Sequence, residues 1–503
     1  MKRFIYNELL RINIERVESK KMSNTVSTNE WKVPEGCLVN GKWVETAQQF
    51  SVLDKFSGAT IAQVYAADQD LVATAIRSLR LAVGAGAPAP HERAQVLRRA
   101  AFGLEAHRDR IANVMVAEAG FVTSDAHGEI DRAIITLNLS AEETTRLIGG
   151  MVPFAASPGA HNRVGFTVRY PVGVVCAITP FNSPLNTVLH KVAPAWGAGN
   201  AIVLKPSAYT PLTSALLADI LLEAGMPPEF LSVLQGEGDT VGSWLLKEEA
   251  IAFYTFTGST RVGHIIQAAA GLRRTQMELG SIASTVLCAD ADLESAIPKI
   301  ANATFRKAGQ VCTSVQRLYV ERSIVDDVAE RLVRAAATLP AGDPRNPAVR
   351  VGPLITEEAA ISTESRLAQA RQLGAKVLCG GERQRSVIQP TVLINVPDES
   401  NAWCQEAFAP LVALRPFDTF EEALESANAT PYGLSAGVFS RDINRCMKAA
   451  RTLRFGTVQI NETSSARSDI MPFGGVKDSG FGKEGPWHAM REMTEERLIV
   501  INP

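Results

Sequence analysis

An α/β architecture built on two parallel-sheet units is expected for this chain, and two stretches carry the expectation. Between Val172 and Glu278 the apolar runs VGVVCAIT, AIVLK, FLSVLQ and IAFYTF alternate with helical stretches such as TPLTSALLADILLEAG, the pattern of βαβ units around a parallel sheet. A second alternating region begins after Ser281, at TVLCADADLESAIPKIA, and runs to about Phe473. A single core stops growing well short of 503 residues, so two or three domains are expected.

Taken in order, residues 1–30 read as an N-terminal extension. The run MKRFIYNELLRINIERVESKK is basic but has neither the continuous apolar core nor the small-residue cleavage site of a secretory signal, and Met22 offers a second start. From Gln69 to Ile148 the apolar residues recur at helical spacing, as in RAQVLRRAAFGLEAHRDRIANVMVAEAG. Alternation and a Pro-Gly turn in 149–171 predict a β-hairpin, and ERLIVINP predicts a terminal strand within 484–503. A lone hairpin and a lone strand are poorly stable, so both are expected to pair across a subunit boundary.

Charge and cysteine usage narrow the partners. Lys plus Arg total 51 against 53 for Asp plus Glu, which leaves no basic footprint for nucleic acid or an anionic membrane. No apolar run reaches transmembrane length. The cysteines (Cys37, Cys176, Cys288, Cys312, Cys379, Cys404, Cys446) are odd in number and show no CxxC spacing or nearby His pairs. That argues against a disulfide framework and structural zinc, and a reducing, cytoplasmic compartment is expected. Small molecules and other subunits remain as partners.

Ligands of a parallel sheet sit at the carboxyl ends of its strands, which here run into TPFN, KPSAYT, QGEGDTVG and TFTGSTRVG. Gly258, Ser259 and Gly263 follow a strand and open a helix, a start that suits a phosphate or is simply capped by Ser259. Lys205 ends a strand beside Pro206 and Ser207, where it either reaches a ribose or phosphate or stays solvated. Asn182, between Pro180 and Pro184, either donates its amide to an oxyanion or forms an Asx-turn. Glu278 in MELGS is a general base if desolvated, or a strand-end carboxylate. Cys312 in FRKAGQVCTSVQR has polar neighbours unusual for a packing cysteine, and as a nucleophile it needs its pKa lowered by cations or a helix start.

The conjunction decides among these readings. TPFNSPLN, VLKPS, FTGSTRVG, MELGS, GQVCTS, QEAFAP and PFGGVKDSGFGKEG occur in one order, and the chain from about Trp31 onward resembles the aldehyde dehydrogenase superfamily. The resemblance implies a Rossmann-type dinucleotide-binding domain from 31–148 and 172–283, an αβ catalytic domain at 284–483, and an oligomerisation element from 149–171 and 484–503. It implies Cys312 as catalytic thiol, Glu278 as general base and Asn182 in the oxyanion hole. Thr179, Pro180, Phe181, Lys205, Ser207, Gly258, Ser259, Gly263, Leu279, Gly280, Glu406 and Phe408 would hold NAD or NADP. It further implies a homodimer or homotetramer that oxidises an aldehyde through a Cys312 thioester hydrolysed by water. Coenzyme A-acylating relatives generally lack the glutamate that Glu278 matches, and a catalytically retired protein would be free to lose the reacting groups retained here.

Departures from the family pattern bear on cofactor and substrate. Ala208 stands where NAD-preferring members often carry a glutamate, which leaves dual or NADP-leaning use open. Ser281, Gln405 and Ala409 replace a Gly, a Glu and a Gly common in the family. The positions that the family places around the aldehyde tunnel, Asn186, His190, Thr313, Ser465 and Arg467, are polar, with His190 and Arg467 suited to an anionic group. The expected substrate is a short polar aldehyde with a carboxylate, phosphonate or sulfonate; the alternative pairs Arg467 with Asp469 on the surface.

Overall fold

Short runs of buried β-branched and aliphatic residues build the central sheet. The computed structural model describes residues 31–502, so the extension expected at 1–30 lies outside the described residues. In the first sheet the strands lie in the order Lys42–Val44, Cys37–Val39, Leu231–Val233, Ala201–Lys205, Val174–Ile178, Ile251–Thr257, Arg274–Glu278, Gly480–Phe481. The strands from Leu231–Val233 to Arg274–Glu278 are parallel. All five residues of AIVLK are buried, because helices cover both faces of such a sheet.

Chain order reverses between Val174–Ile178 and Ile251–Thr257, and the crevice of an open α/β sheet forms at such a reversal. The register sets Ile178 beside Lys205 and Phe256, and Thr257 beside Glu278. The last residues of four strands therefore end in one row, which fixes where a ligand can sit.

Only five residues separate Glu278 from Ser284–Leu287, an interior strand of the second sheet. That sheet runs Lys376–Cys379, Thr391–Ile394, Leu411–Phe417, Arg317–Glu321, Ser284–Leu287, Ser435–Phe439, Thr457–Ile460. Each sheet has its own apolar core, one centred on residues such as Val175, Val203 and Trp196, the other on Val286, Leu318 and Val412. The site lies along the seam between them.

Helices fill 69–144 as the spacing predicts: Gln69–Ala85, Pro90–Ala106, Arg108–Ala119 and Thr123–Thr144. The strands Gln49–Leu53 and Thr60–Tyr65, which pair antiparallel, were not read from the sequence. One expectation needs correction. Thr494–Ile501 pairs within the same chain, antiparallel to Val164–Pro171 from Thr494 opposite Pro171 to Ile501 opposite Val164, with Met151–Val152 on the far side. Neither hairpin nor terminal strand lacks a partner, so isolation alone does not require a second subunit.

Asn200 ties this ribbon to the cofactor sheet. The Gly173 N–H donates to its Oδ1 at 3.0 Å, and its Nδ2 donates to the carbonyls of Ala195 at 3.2 Å and Met493 at 3.0 Å, the last just ahead of the terminal strand. The side chain is fully buried, so removing it strands these groups away from water. Asn200→Ala is expected to destabilise the protein by about 2 kcal/mol or more, read as a lower urea midpoint; an unchanged midpoint contradicts this role.

Candidate active site

The row of strand ends opens into a cavity of about 700 Å³ whose far wall comes from the second sheet. It is lined by Thr179, Pro180, Phe181, Asn182, Lys205, Ser207, Gly258, Ser259, Glu278, Leu279, Gly280, Cys312, Glu406 and Phe408, and further by Asn186, Thr313, Ser465 and Arg467. Two residues predicted for the site stand behind its wall. Gly263 packs under Leu279, where an added Cβ would come within 2.5 Å of that side chain. His190 is buried against Asp469.

The half of the cavity beneath the first sheet suits a dinucleotide. Lys205 is buried, not solvated; burial lowers its pKa to about 8, against the opposing charges of Glu237 and Asp239. Ser259 does cap Thr260–Ala270, its Oγ accepting from the Val262 N–H at 3.4 Å, so the capping reading holds while the start of that helix also faces the cavity. Glu406 accepts from the Ser281 N–H at 3.0 Å, and burial raises its pKa to about 7. Phe408 adopts φ +51° and meets the Phe181 ring edge-on at 5.8 Å. A buried cation, open helix N–H groups, a pinned carboxylate and an aromatic wall match the phosphates, hydroxyls and rings of a nicotinamide dinucleotide. Among the described residues no group of three His, Cys, Asp or Glu is placed to hold a metal ion.

Glu278 and Cys312 meet at the seam. Neither carboxylate oxygen of Glu278 has a hydrogen-bond partner, although the residue is 3% exposed. Burial first, and the charge of Glu484 second, raise its pKa well above the ordinary carboxylate range. Gly474 makes the room: a Cβ there would fall 2.8 Å from Glu278 Oε1. Glu484 has the opposite surroundings. Burial disfavours its charge, but Lys191 Nζ at 3.0 Å and Arg467 Nη2 at 2.6 Å hold it ionised, far below the usual range.

The Cys312 thiol differs from expectation. Burial pushes it up to about 12, with Glu278, Glu406 and Glu484 adding to the rise and Arg467 opposing it. A lowered thiol pKa needs a cation with charge to spare, whereas Arg467 is committed to Glu484. At neutral pH the resting sulfur is therefore a thiol and not a thiolate.

Asn182 and Cys312 are joined through the turn that precedes the sulfur. Asn182 Nδ2 donates to the Gln310 carbonyl at 2.8 Å, which leaves its second N–H for another acceptor. Lys307 (φ +50°), Ala308 (φ +54°) and Gly309 (φ +70°) form a left-handed turn, at a cost of roughly 1 kcal/mol for each of the first two. Gly309 is required for space as well, since a Cβ would sit 2.1 Å from the Ala409 carbonyl oxygen.

Arginines dominate the remaining wall. Arg467 pairs with Glu484 and not with Asp469, and is largely buried where a surface pair was the alternative. Asp469 instead receives Arg132 Nη2 at 2.7 Å, Asn186 Nδ2 at 3.0 Å and His190 Nε2 at 2.9 Å. Burial, then the Arg467 charge, lower the His190 pKa, so His190 is neutral at pH 7 and supplies no positive charge to the cavity. Arg306 has no carboxylate partner among the described residues; its Nη2 donates to Ser465 Oγ at 2.8 Å. Sequence reasoning missed Arg306, Arg132, Lys307, Glu129 and Glu484. A signal existed for Arg306 and Lys307, which lie in the FRKAGQVCTS motif, and for Glu484, which lies in PFGGVKDSGFGKEG. Glu129 was visible only as a carboxylate within the apolar stripe of Thr123–Thr144.

Comparison with known proteins agrees with this geometry. The model of the aldehyde dehydrogenase family matches residues 43–499. The 3-sulfolactaldehyde dehydrogenase of Priestia aryabhattai is 43% identical over 467 residues, 93% of this chain and 98% of that one. Glyceraldehyde-3-phosphate dehydrogenase of Methanocaldococcus jannaschii, solved with NADP, is 35% identical with a TM-score of 0.87, covering 91% of this chain and 100% of its own. Betaine aldehyde dehydrogenase of Staphylococcus aureus, solved with NAD+, is 28% identical with a TM-score of 0.89, covering 94% of this chain and 95% of its own. A buried carboxylate without a partner beside a thiol, at the mouth of a dinucleotide crevice, thus has a known setting: the chain belongs to the aldehyde dehydrogenase family.

Proposed function

We propose that this NAD(P)-dependent aldehyde dehydrogenase oxidises a short aldehyde bearing an anionic group to its acid through a thioester on Cys312. The observation that carries the reading is one cavity lined by Cys312, the unpartnered carboxylate of Glu278 and the carboxylate-free guanidinium of Arg306. The reactive carbon lies against Cys312 while Arg306, with the Ser465 hydroxyl, receives the anion as a planar, charge-assisted donor. The aldehydes named for two relatives, 3-sulfolactaldehyde and glyceraldehyde 3-phosphate, carry a sulfonate and a phosphate, in keeping with such a receptor.

In this mechanism the Cys312 proton passes to a base, and the sulfur attacks the aldehyde carbon. The free N–H of the Asn182 amide, with the Cys312 backbone N–H, donates to the developing oxyanion. A nicotinamide dinucleotide held by Lys205, the Ser259 helix start, Glu406 and Phe408 would supply the hydride acceptor that this oxidation requires as the carbonyl re-forms. Glu278 then removes a proton from water, whose oxygen displaces Cys312 from the thioester; the acid leaves and the thiol regains its proton. A carboxylate whose pKa burial raises is a stronger base than a solvated one, which suits it to both proton transfers.

Cofactor choice rests on the adenosine end. Ala208 presents no carboxylate, and the Lys205 ammonium can attract a 2′-phosphate, while Glu237 and Asp239 on the same wall oppose it. The cavity is thereby suited to both NAD and NADP. The assembly is a homodimer or homotetramer, since Thr494–Ile501 is an edge strand with Leu498, Val500 and Ile501 exposed, a surface that a second copy would cover.

Two results are expected. Arg306→Gln raises KM for a short anionic aldehyde by about 10- to 100-fold, the loss of a charge-assisted contact, and leaves kcat/KM for an uncharged aldehyde of equal length within about threefold. Equal losses on both substrates would exclude Arg306 as the anion receptor. With its pKa at about 8, Lys205 is cationic at pH 7 and neutral by pH 9.5. NADP affinity, followed by fluorescence titration, therefore weakens over that interval more than NAD affinity does. Lys205→Met removes the difference; a difference that survives the substitution rules Lys205 out as its source.

A further inference from the structure

Lys307 makes no contact that the reaction itself requires, yet it is largely buried beside Cys312 and touches three separate segments. Its Nζ is ion-paired with Glu129 of the helix Thr123–Thr144 and donates to the Asn182 backbone carbonyl at 3.1 Å. The same ammonium stands 4.3 Å from the centre of the Phe121 ring. Its backbone N–H donates to Asp125 Oδ2 at 3.0 Å, which anchors the left-handed turn at its first residue.

Glu129 completes the link. Its Oε1 accepts from Ser183 Oγ at 3.0 Å and from the N–H groups of Leu185 at 3.0 Å and Asn186 at 3.2 Å, so it caps the helix Asn186–Gly197 from a neighbouring helix. One buried ion pair therefore holds both the loop that carries Asn182 and the turn that carries Cys312. The bond from Asn182 Nδ2 to the Gln310 carbonyl closes the circuit. A donor must sit within a few tenths of an ångström of the place where the oxyanion forms, and this circuit is what sets the distance from amide to sulfur.

We infer that Lys307 is a positioning residue that registers the Asn182 loop against the Cys312 turn. This rests on the role given to Asn182 above. Lys307 acts through that amide, so its worth vanishes when the amide is gone. The alternative, general structural support for the fold, would act whether or not Asn182 is present.

The test is a double-mutant cycle with Lys307→Asn and Asn182→Ala, measured as kcat, KM and dinucleotide affinity. Asparagine tolerates the left-handed φ, so the substitution removes the ammonium and spares the turn. Alone it is expected to lower kcat by about 10- to 100-fold with KM and dinucleotide affinity within about threefold. In the Asn182→Ala background it costs less than about threefold more, and Lys307→Arg, which keeps the cation, recovers most of the rate. Should Lys307→Asn not fold, Asp125→Ala releases the same turn from its backbone anchor and is expected to give the same pattern. Losses that multiply in the double variant, or a lower melting temperature with kcat unchanged, overturn the inference. Full kcat in Asn182→Ala overturns the role of Asn182 itself, and with it the premise.

Discussion

Two carboxylates share one dry pocket, and the protein gives its cations to only one of them. Lys191 and Arg467 both bind Glu484, which stays ionised; Glu278, a neighbour with neither hydrogen bond nor counter-ion, is driven toward its neutral form. Pairs of titratable groups pushed apart by their surroundings mark the division of labour in acid–base chemistry. A buried acid left unpartnered is costly to the fold, and here that cost lies in the same cavity as the sulfur proposed as nucleophile. Much of the rest serves to keep the arrangement intact: Gly474 leaves space for the carboxylate, and the chain runs from Glu278 straight into the second sheet.

The other half of the chemistry is a matter of distance. Asn182 and Cys312 lie 130 residues apart, on loops of different sheets, and they are held together by contacts neither makes with substrate. The Glu129–Lys307 pair and the strained turn at Lys307 and Ala308 form a rigid bridge over the seam between the sheets. Rigid placement of donors before the reaction begins is where most of the stabilisation of a developing oxyanion originates. Arg306 lies next to this bridge in sequence, so the receptor proposed for a substrate anion and the device inferred to set the oxyanion hole belong to one short segment.

How much of this could be read from the sequence follows from which interactions are local. The strands Val174–Ile178 and Ala201–Lys205 were legible because a fully buried parallel strand is a plain apolar run. The strands between Gln49 and Tyr65 are half exposed and short, and their mixed composition hid them. The pairing of Thr494–Ile501 with Val164–Pro171 spans more than 300 residues, and no local pattern announces a partner so far away. At the site, Cys312, Glu278 and Asn182 could be singled out from their motifs, but the ionisation of Cys312 and Glu278 could not. The high thiol pKa depends on Arg467 being committed to Glu484, a pairing that Arg467's neighbourhood in sequence, with Asp469 two residues on, pointed away from. The same holds for Lys205, whose burial comes from the sheet and not from its flanking residues.

Everything chemical here depends on a covalent acyl group passing through Cys312 and on Glu278 being needed to remove it. The direct measurement is a single-turnover experiment on Glu278→Gln, mixed with aldehyde and dinucleotide and followed by absorbance and by intact-protein mass. The expected result is a burst of about one reduced cofactor per active site, with an acyl adduct that maps to Cys312 and decays slowly. Continued turnover at the wild-type rate, or a burst with no mass gained at Cys312, would contradict the account.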